Sequence, residues 1–237
     1  MLKYPLRRRK VFCKEMLKII VFDSGYGGEL FADYLIEELP IIEIVRVIDW
    51  RNAEKFFKSP RAARKTAEKA LRPYIGTADL IVFVNHLLSI TSLRYFQRKY
   101  KKQKFLGLNL EKPATFIKKD TLILTTKAIA KTVNFRNFIF KLRRKTKILT
   151  LDSWPSKIDD GELSFLEIKT TIKNFLLRAD FSPQEIILAC AHLNDIKSEL
   201  ADIFGKNVRI YDGFKNTTNQ ICRILNIRGG AFRKVKS

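Results

Sequence analysis

The chain has 237 residues, of which 46% are hydrophobic and 30% charged, and Lys+Arg 46 against Asp+Glu 24 leave a formal net charge of +22. This composition is globular, not disordered, and the length suits one large domain or two smaller ones. No apolar run reaches the ~18 residues of a membrane-spanning helix, and the basic opening MLKYPLRRRKVFCKEM lacks the apolar stretch of a signal peptide.

Three cysteines, Cys13, Cys190 and Cys222, are an odd number without metal or disulfide spacing, which fits a reducing cytoplasm. The two histidines, His86 and His192, are too few for a His-rich metal site. The positive surplus attracts anions, from small acids to nucleic acid. It is spread along the chain, with clusters at Arg7–Lys10, Arg98–Lys104, Lys141–Lys147 and Arg233–Lys236. No nucleic-acid-binding signature accompanies them. A solvated Lys-rich surface is therefore the plainer reading, and nucleic acid stays a partner class without a motif.

In chain order, short Ile/Leu/Val-rich runs end in small or polar residues. Lys18–Phe22 leads into Asp23-Ser24-Gly25-Tyr26-Gly27-Gly28, and Leu80–Val84 into Asn85-His86. Thr121–Leu124 leads into Thr125-Thr126, Lys147–Leu151 into Asp152-Ser153, and Glu185–Ala189 into Cys190-Ala191-His192. Such runs read as buried strands. Helix-like segments lie between them at Leu30–Leu39, Ser59–Tyr74, Leu163–Arg178, Asn194–Phe204 and Asn216–Leu225. Ser59 is placed to cap its helix, with Pro60 at the first helical position. The alternation predicts an α/β fold with mainly parallel, flavodoxin- or Rossmann-like sheets. In such sheets ligands bind at the carboxyl ends of strands, where these polar residues sit.

Asp23 to Asn85 is 62 residues and Thr126 to Cys190 is 64, while Asp23 to Thr126 is 103 and Asn85 to Cys190 is 105. The chain thus reads as two pseudo-symmetric half-domains facing a shared cleft. The expected division is a basic leader at 1–16, outside the fold; a first domain at 17–108; a second at 109–209, entered through a linker near Gly107–Pro113; and a segment at 210–228 returning to the first.

Three motifs carry chemistry. DSGYGG at Asp23 allows a tight strand-to-helix turn with backbone N–H groups available to an anion, and also fits an ordinary βα turn. Cys190 and His192, two residues apart, let an imidazole stabilise a thiolate, and also fit a core thiol beside a surface histidine. Asn85-His86 occupies the matching place in the first half. Both histidines of the chain therefore fall at strand ends that should face one cleft.

These residues resemble glutamate racemase, of the aspartate/glutamate racemase superfamily, over about residues 17–228. VFDSGYGG resembles the family's first motif, IVFVNHLLSI its first catalytic segment, and IILACAHLNDI its second. FLGLNLEKPA, LTTKAIAKT, LDSWPSKIDDGE and RIYDGFKNTTNQI follow in the family's order. The resemblance implies cofactor-independent interconversion of L- and D-glutamate, in the service of cell-wall peptidoglycan, by two thiols on opposite faces of the α-carbon. By the same resemblance Asp23, Cys190 and His192 are catalytic. Ser24, Asn85, Ala191, Thr126, Lys58 and Ser59 contact a small amino acid or dicarboxylate, and a homodimer is admitted.

The departures matter as much. Val84 stands where the first catalytic cysteine belongs, and His86, replacing the usual threonine, is the one titratable group near enough in sequence to substitute for it. Losing one of two bases should suppress racemisation by ~10²–10⁴-fold. Impaired racemisation is accordingly the expectation. The alternatives are a degenerate homologue with a binding or regulatory role, a one-thiol lyase of the decarboxylase type, and a nucleic-acid-associated basic protein.

Overall fold

The computed structural model describes residues 16–108, 120–142, 145–205 and 207–227. Most of the expected leader, with Cys13, and most of the expected linker lie outside the described residues.

Two four-stranded sheets form, and every pairing in them is parallel. The first contains β1 (Lys18–Asp23), β2 (Glu43–Ile48), β3 (Leu80–Phe83) and β4 (Phe105–Gly107), in the order β2-β1-β3-β4. The second contains β5 (Thr121–Thr125), β6 (Thr146–Thr150), β7 (Glu185–Leu188) and β8 (Arg209–Tyr211), in the order β6-β5-β7-β8. Strand for strand the order is the same, so the hundred-residue offset corresponds to a structural repeat.

Ten helices are described. In the first half α1 is Tyr26–Glu38, α2 Ala53–Lys58, α3 Pro60–Leu71 and α4 His86–Lys99. In the second, α5 is Lys127–Ala130, α6 Val133–Leu142, α7 Trp154–Asp159, α8 Phe165–Ala179 and α9 Lys197–Phe204; α10, Phe214–Ile224, follows β8. No described helix is long and apolar enough to cross a membrane.

The first sheet is buried on both faces, and its side chains alternate as the pleat requires. Ile19, Val21, Leu80 and Val82 point into one core, and Ile20, Phe22, Ile81 and Phe83 into the other. Helix α10 closes the first of these cores. Phe214 packs edge-on against Phe31 at 4.9 Å between centroids, and Ile221 and Cys222 join the same cluster. The segment expected to return at 210–228 is thus divided. Ile210 and Tyr211 are paired with β7 in the second sheet, because β8 completes that sheet's edge, and the return to the first half is made by α10.

Candidate active site

In each sheet the strand order reverses between the first strand and the third, and such switch points open a crevice at the strands' carboxyl ends. The first sheet's crevice holds Asp23 and Ser24, after β1, and Asn85 and His86, after β3. The second sheet's holds Thr126, after β5, and Cys190, after β7. The crevices face one another across a single cavity lined by Asp23, Ser24, Asn85, His86, Leu87, Thr126, Ile129, Pro155, Cys190, Ala191 and His192.

The halves meet through the glycines of DSGYGG. A Cβ on Gly25 would lie 2.7 Å from His192 Nε2, and one on Gly27 would lie 2.5 Å from the Ala191 Cβ. Gly25 is extended, with φ −165°, so it serves close approach and not an unusual backbone. The motif's glycines let α1 dock against the short 3₁₀ turn Ala191–Asn194, which brings the two strand-end sets together.

On the first-half wall, Asp23 is 1% exposed. Its Oδ1 accepts the Ser24 N–H at 2.7 Å, and its Oδ2 has no hydrogen-bond partner among the described residues. Burial pushes its carboxyl up to about 6, against the opposing pull of His192, the Ser24 N–H and the Asn85 amide. Asn85 donates from Nδ2 to Ser24 Oγ at 2.8 Å, while its Oδ1 accepts the Leu88 N–H at 2.9 Å and so caps α4. One side chain both starts the helix and ties the two strand ends together. His86, the first residue of α4, is buried, and neither ring nitrogen has a hydrogen-bond partner among the described residues. Burial, and then the nearby His192, push its pKa down to about 3, so the imidazole is neutral across the physiological range.

On the second-half wall, Cys190 Sγ lies 3.8 Å from His192 Nδ1, and His192 Nε2 lies 3.3 Å from Asp159 Oδ1 at the end of α7. Burial works against a charge on His192. The Asp159 carboxylate, the Cys190 sulfur and the Asp23 carboxylate outweigh it, pushing the pKa up to about 11. An imidazolium therefore stands beside the sulfur. The charges are arranged as acid, imidazolium, sulfur, with a second acid and a neutral imidazole across the gap.

Asp23, Ser24, Asn85, His86, Thr126, Cys190, Ala191 and His192 are thus brought to one place. Lys58 and Ser59 are not among the side chains lining it. Ser59 instead spends its hydroxyl on the Ala62 N–H at 3.1 Å, capping α3, and Lys58 is an exposed residue at the end of α2. Val84 does not line the cavity either: fully buried, it packs in the core with Val21, Phe31 and Ala191. Asp159 was not among the residues expected to form the site. The acidic stretch Asp159-Asp160-Gly161-Glu162 in LDSWPSKIDDGE was the available signal, but nothing local indicates which acid reaches His192.

The cavity has a volume of about 50 Å³, room for a few waters and far below the ~300–1,000 Å³ of typical ligand pockets.

No family model matches the chain. It is 26% identical over 214 residues to a glutamate racemase of Clostridium perfringens, covering 86% of this chain and 81% of that protein. In structure it resembles Escherichia coli glutamate racemase, solved with L-glutamate and the activator UDP-MurNAc-Ala, at TM-score 0.76 and 17% identity, covering 94% of this chain and 87% of the other. A glutamate racemase isoform of Bacillus anthracis superposes at TM-score 0.74 and 17% identity, over 91% and 84% of the two chains. The chain resembles glutamate racemases along most of its sequence and has the two-domain α/β fold of that superfamily.

Proposed function

We propose that this protein is a racemase-like carbon-acid enzyme acting without a cofactor at the α-carbon of a small acidic amino acid, glutamate in the first instance. Proton transfer on one face of the α-carbon is assigned to Cys190 and on the other to His86. The observation that carries this reading is the placement of the Cys190–His192–Asp159 relay across one cavity from Asp23, Asn85 and His86.

Removing an α-proton needs a base on one side of the carbon, and inverting the centre needs an acid on the other. The His192 imidazolium lies against the Cys190 sulfur, and Asp159 holds it in place. The same positive charge attracts the substrate's carboxylate. Ser24, Asn85 and Thr126 offer hydroxyl and amide groups to orient it, and Asp23, whose pKa is about 6, is mostly ionised at neutral pH and suits an ammonium group.

The two sides are unequal. His86 at pKa about 3 carries no proton to donate at neutral pH, and the same low pKa makes it a weak base. Among the described residues no acid is hydrogen-bonded to either nitrogen to restore its proton. Racemisation is therefore slow, roughly 10²–10⁴-fold below a pair of matched bases. That asymmetry also favours a second reading, in which Cys190 alone delivers or exchanges a proton on one face, as a one-thiol lyase requires.

Chiral chromatography of L-glutamate incubated with the protein decides between them. Slow appearance of D-glutamate, abolished by His86→Ala and by Cys190→Ala, supports the two-sided reading. No D-glutamate at high enzyme concentration overturns it and leaves the one-sided chemistry.

A further inference from the structure

A second concavity lies away from this cavity, on the outer side of the first half. It is a trough of about 560 Å³ between the α2 region and α3, lined by Asp49, Asn52, Lys55, Lys65, Thr66 and Lys69 among others. Over residues 49–72 there are eight Lys or Arg against three Asp or Glu. From this trough we infer a binding site for single-stranded nucleic acid, independent of the catalytic cleft.

The cations are disposed along a line. Arg61, Lys65 and Lys69 recur every four residues on α3 and are all exposed. At ~1.5 Å rise per residue they stand ~6 Å apart along the helix, close to the separation of successive phosphates on an extended strand. Lys55 faces them from α2. Among the described residues none of these four enters an ion pair. Glu68, the one acid of α3, is held by Lys99 and Tyr100 of the α4 region and does not neutralise the stripe. Asp49 is the acid in the lining, and its Oδ1 accepts from Asn52 Nδ2 at 2.8 Å.

Two features favour a strand of nucleic acid over other polyanions. Trp50, 46% exposed, belongs to the short 3₁₀ turn Trp50–Asn52, flanked in sequence by the lining residues Asp49 and Asn52. An exposed aromatic beside a basic groove is the combination on which unpaired bases stack. The surface is also concave, which suits a strand of nucleic acid better than a flat anionic bilayer.

The test uses the full chain with a fluorescein-labelled single-stranded RNA, and the same sequence in DNA, of about 12 nucleotides. Anisotropy is followed from 50 to 300 mM KCl. Arg61→Gln/Lys65→Gln/Lys69→Gln removes three exposed charges while keeping good helix formers. At ~0.7 of log–log salt slope per phosphate contact on a single strand, it should flatten the slope by about 2 and weaken binding about 100-fold at 0.1 M salt. Lys141→Gln/Lys173→Gln/Arg178→Gln removes three exposed charges from the second half and should change the slope little. Trp50 is the exposed member of the chain's two tryptophans, Trp154 being buried. Intrinsic fluorescence should therefore be quenched by the oligonucleotide, and Trp50→Phe should remove the quench. The tighter of the two oligonucleotides identifies the natural sugar. Equal losses in both triple variants, equal competition by polyglutamate at matched charge, or no binding at 50 mM KCl would overturn the assignment.

Discussion

Replacing Gly27 by alanine tests the seam on which the catalytic cavity depends. A Cβ there would lie 2.5 Å from the Ala191 Cβ, and 3.0 Å from both the Ala191 carbonyl carbon and the His192 backbone nitrogen. Carbon atoms in contact settle near ~3.5–4.0 Å, so the second half must withdraw by about 1 Å. Two of the three opposing atoms are backbone, and no rotamer change relieves them. Overpacking of this kind costs ~1–3 kcal/mol, partly offset by the ~1 kcal/mol that alanine contributes over glycine within a helix. Net destabilisation should be about 0–2 kcal/mol, with the larger effect on alignment. A displacement of ~1 Å can cost ~100-fold in rate. Iodoacetamide labelling, resolved by peptide mass mapping with Cys222 as internal reference, should speed at least tenfold at Cys190, which is 7% exposed. Gly28→Ala is the contrast. Its Cβ would meet Asp23 and Ile48 of its own half, at 2.4 and 2.7 Å, so it should destabilise without exposing Cys190. Labelling and stability both unchanged in Gly27→Ala would refute the docking geometry.

Three further outcomes follow from the charges. In Asp159→Asn the His192 imidazolium loses its carboxylate, so an NMR titration should bring its pKa down from about 11 by one unit or more, and Cys190 should alkylate more slowly at neutral pH. In the parent protein the raised His192 pKa contributes stability that is complete below pH ~6.5 and lost as pH rises through about 11. The Asp159→Asn penalty in urea unfolding should therefore shrink toward pH 11. His86 behaves oppositely: with its folded pKa at about 3, the unfolded chain takes up a proton below pH ~6.5 that the folded chain refuses. His86→Gln should thus gain about 2 kcal/mol relative to the parent between pH 7.5 and 5, whereas protonation of Asp23 near pH 6 is common to both proteins and cancels in the comparison.

The strand ends were legible because buried parallel strands are nearly continuous apolar runs, and the first polar residue after each marks its carboxyl end. Asp23, Asn85 and Cys190 were found in that way. Helix α4 was hidden by the same signal. In LIVFVNHLLSI the apolar run continues through the junction, and only the Asn85 side chain, bonded to the Leu88 N–H, separates strand from helix. Strand β2 escaped notice because it is an edge strand, only partly buried, and interrupts its apolar residues with Glu43 and Arg46. Ser59 admitted two readings, helix cap and substrate contact; the cap is local, so sequence spacing was enough to define it, whereas the substrate contact was carried on resemblance alone. Asp159 was out of reach, because its partner His192 is 33 positions away in the sequence and the pairing depends on how α7 packs beside the 3₁₀ turn. Val84 showed that a thiol was missing, but not that its side chain belongs to the hydrophobic core.

Deuterium uptake bears most directly on whether Cys190 is a working acid/base group. L-glutamate and D-glutamate are each incubated with the protein in D₂O, and loss of the α-proton resonance is followed by NMR for the parent chain and for Cys190→Ala. The expected result is exchange of at least one enantiomer, faster than any racemisation and absent from Cys190→Ala. Exchange that survives in Cys190→Ala, or none with either enantiomer, would contradict it.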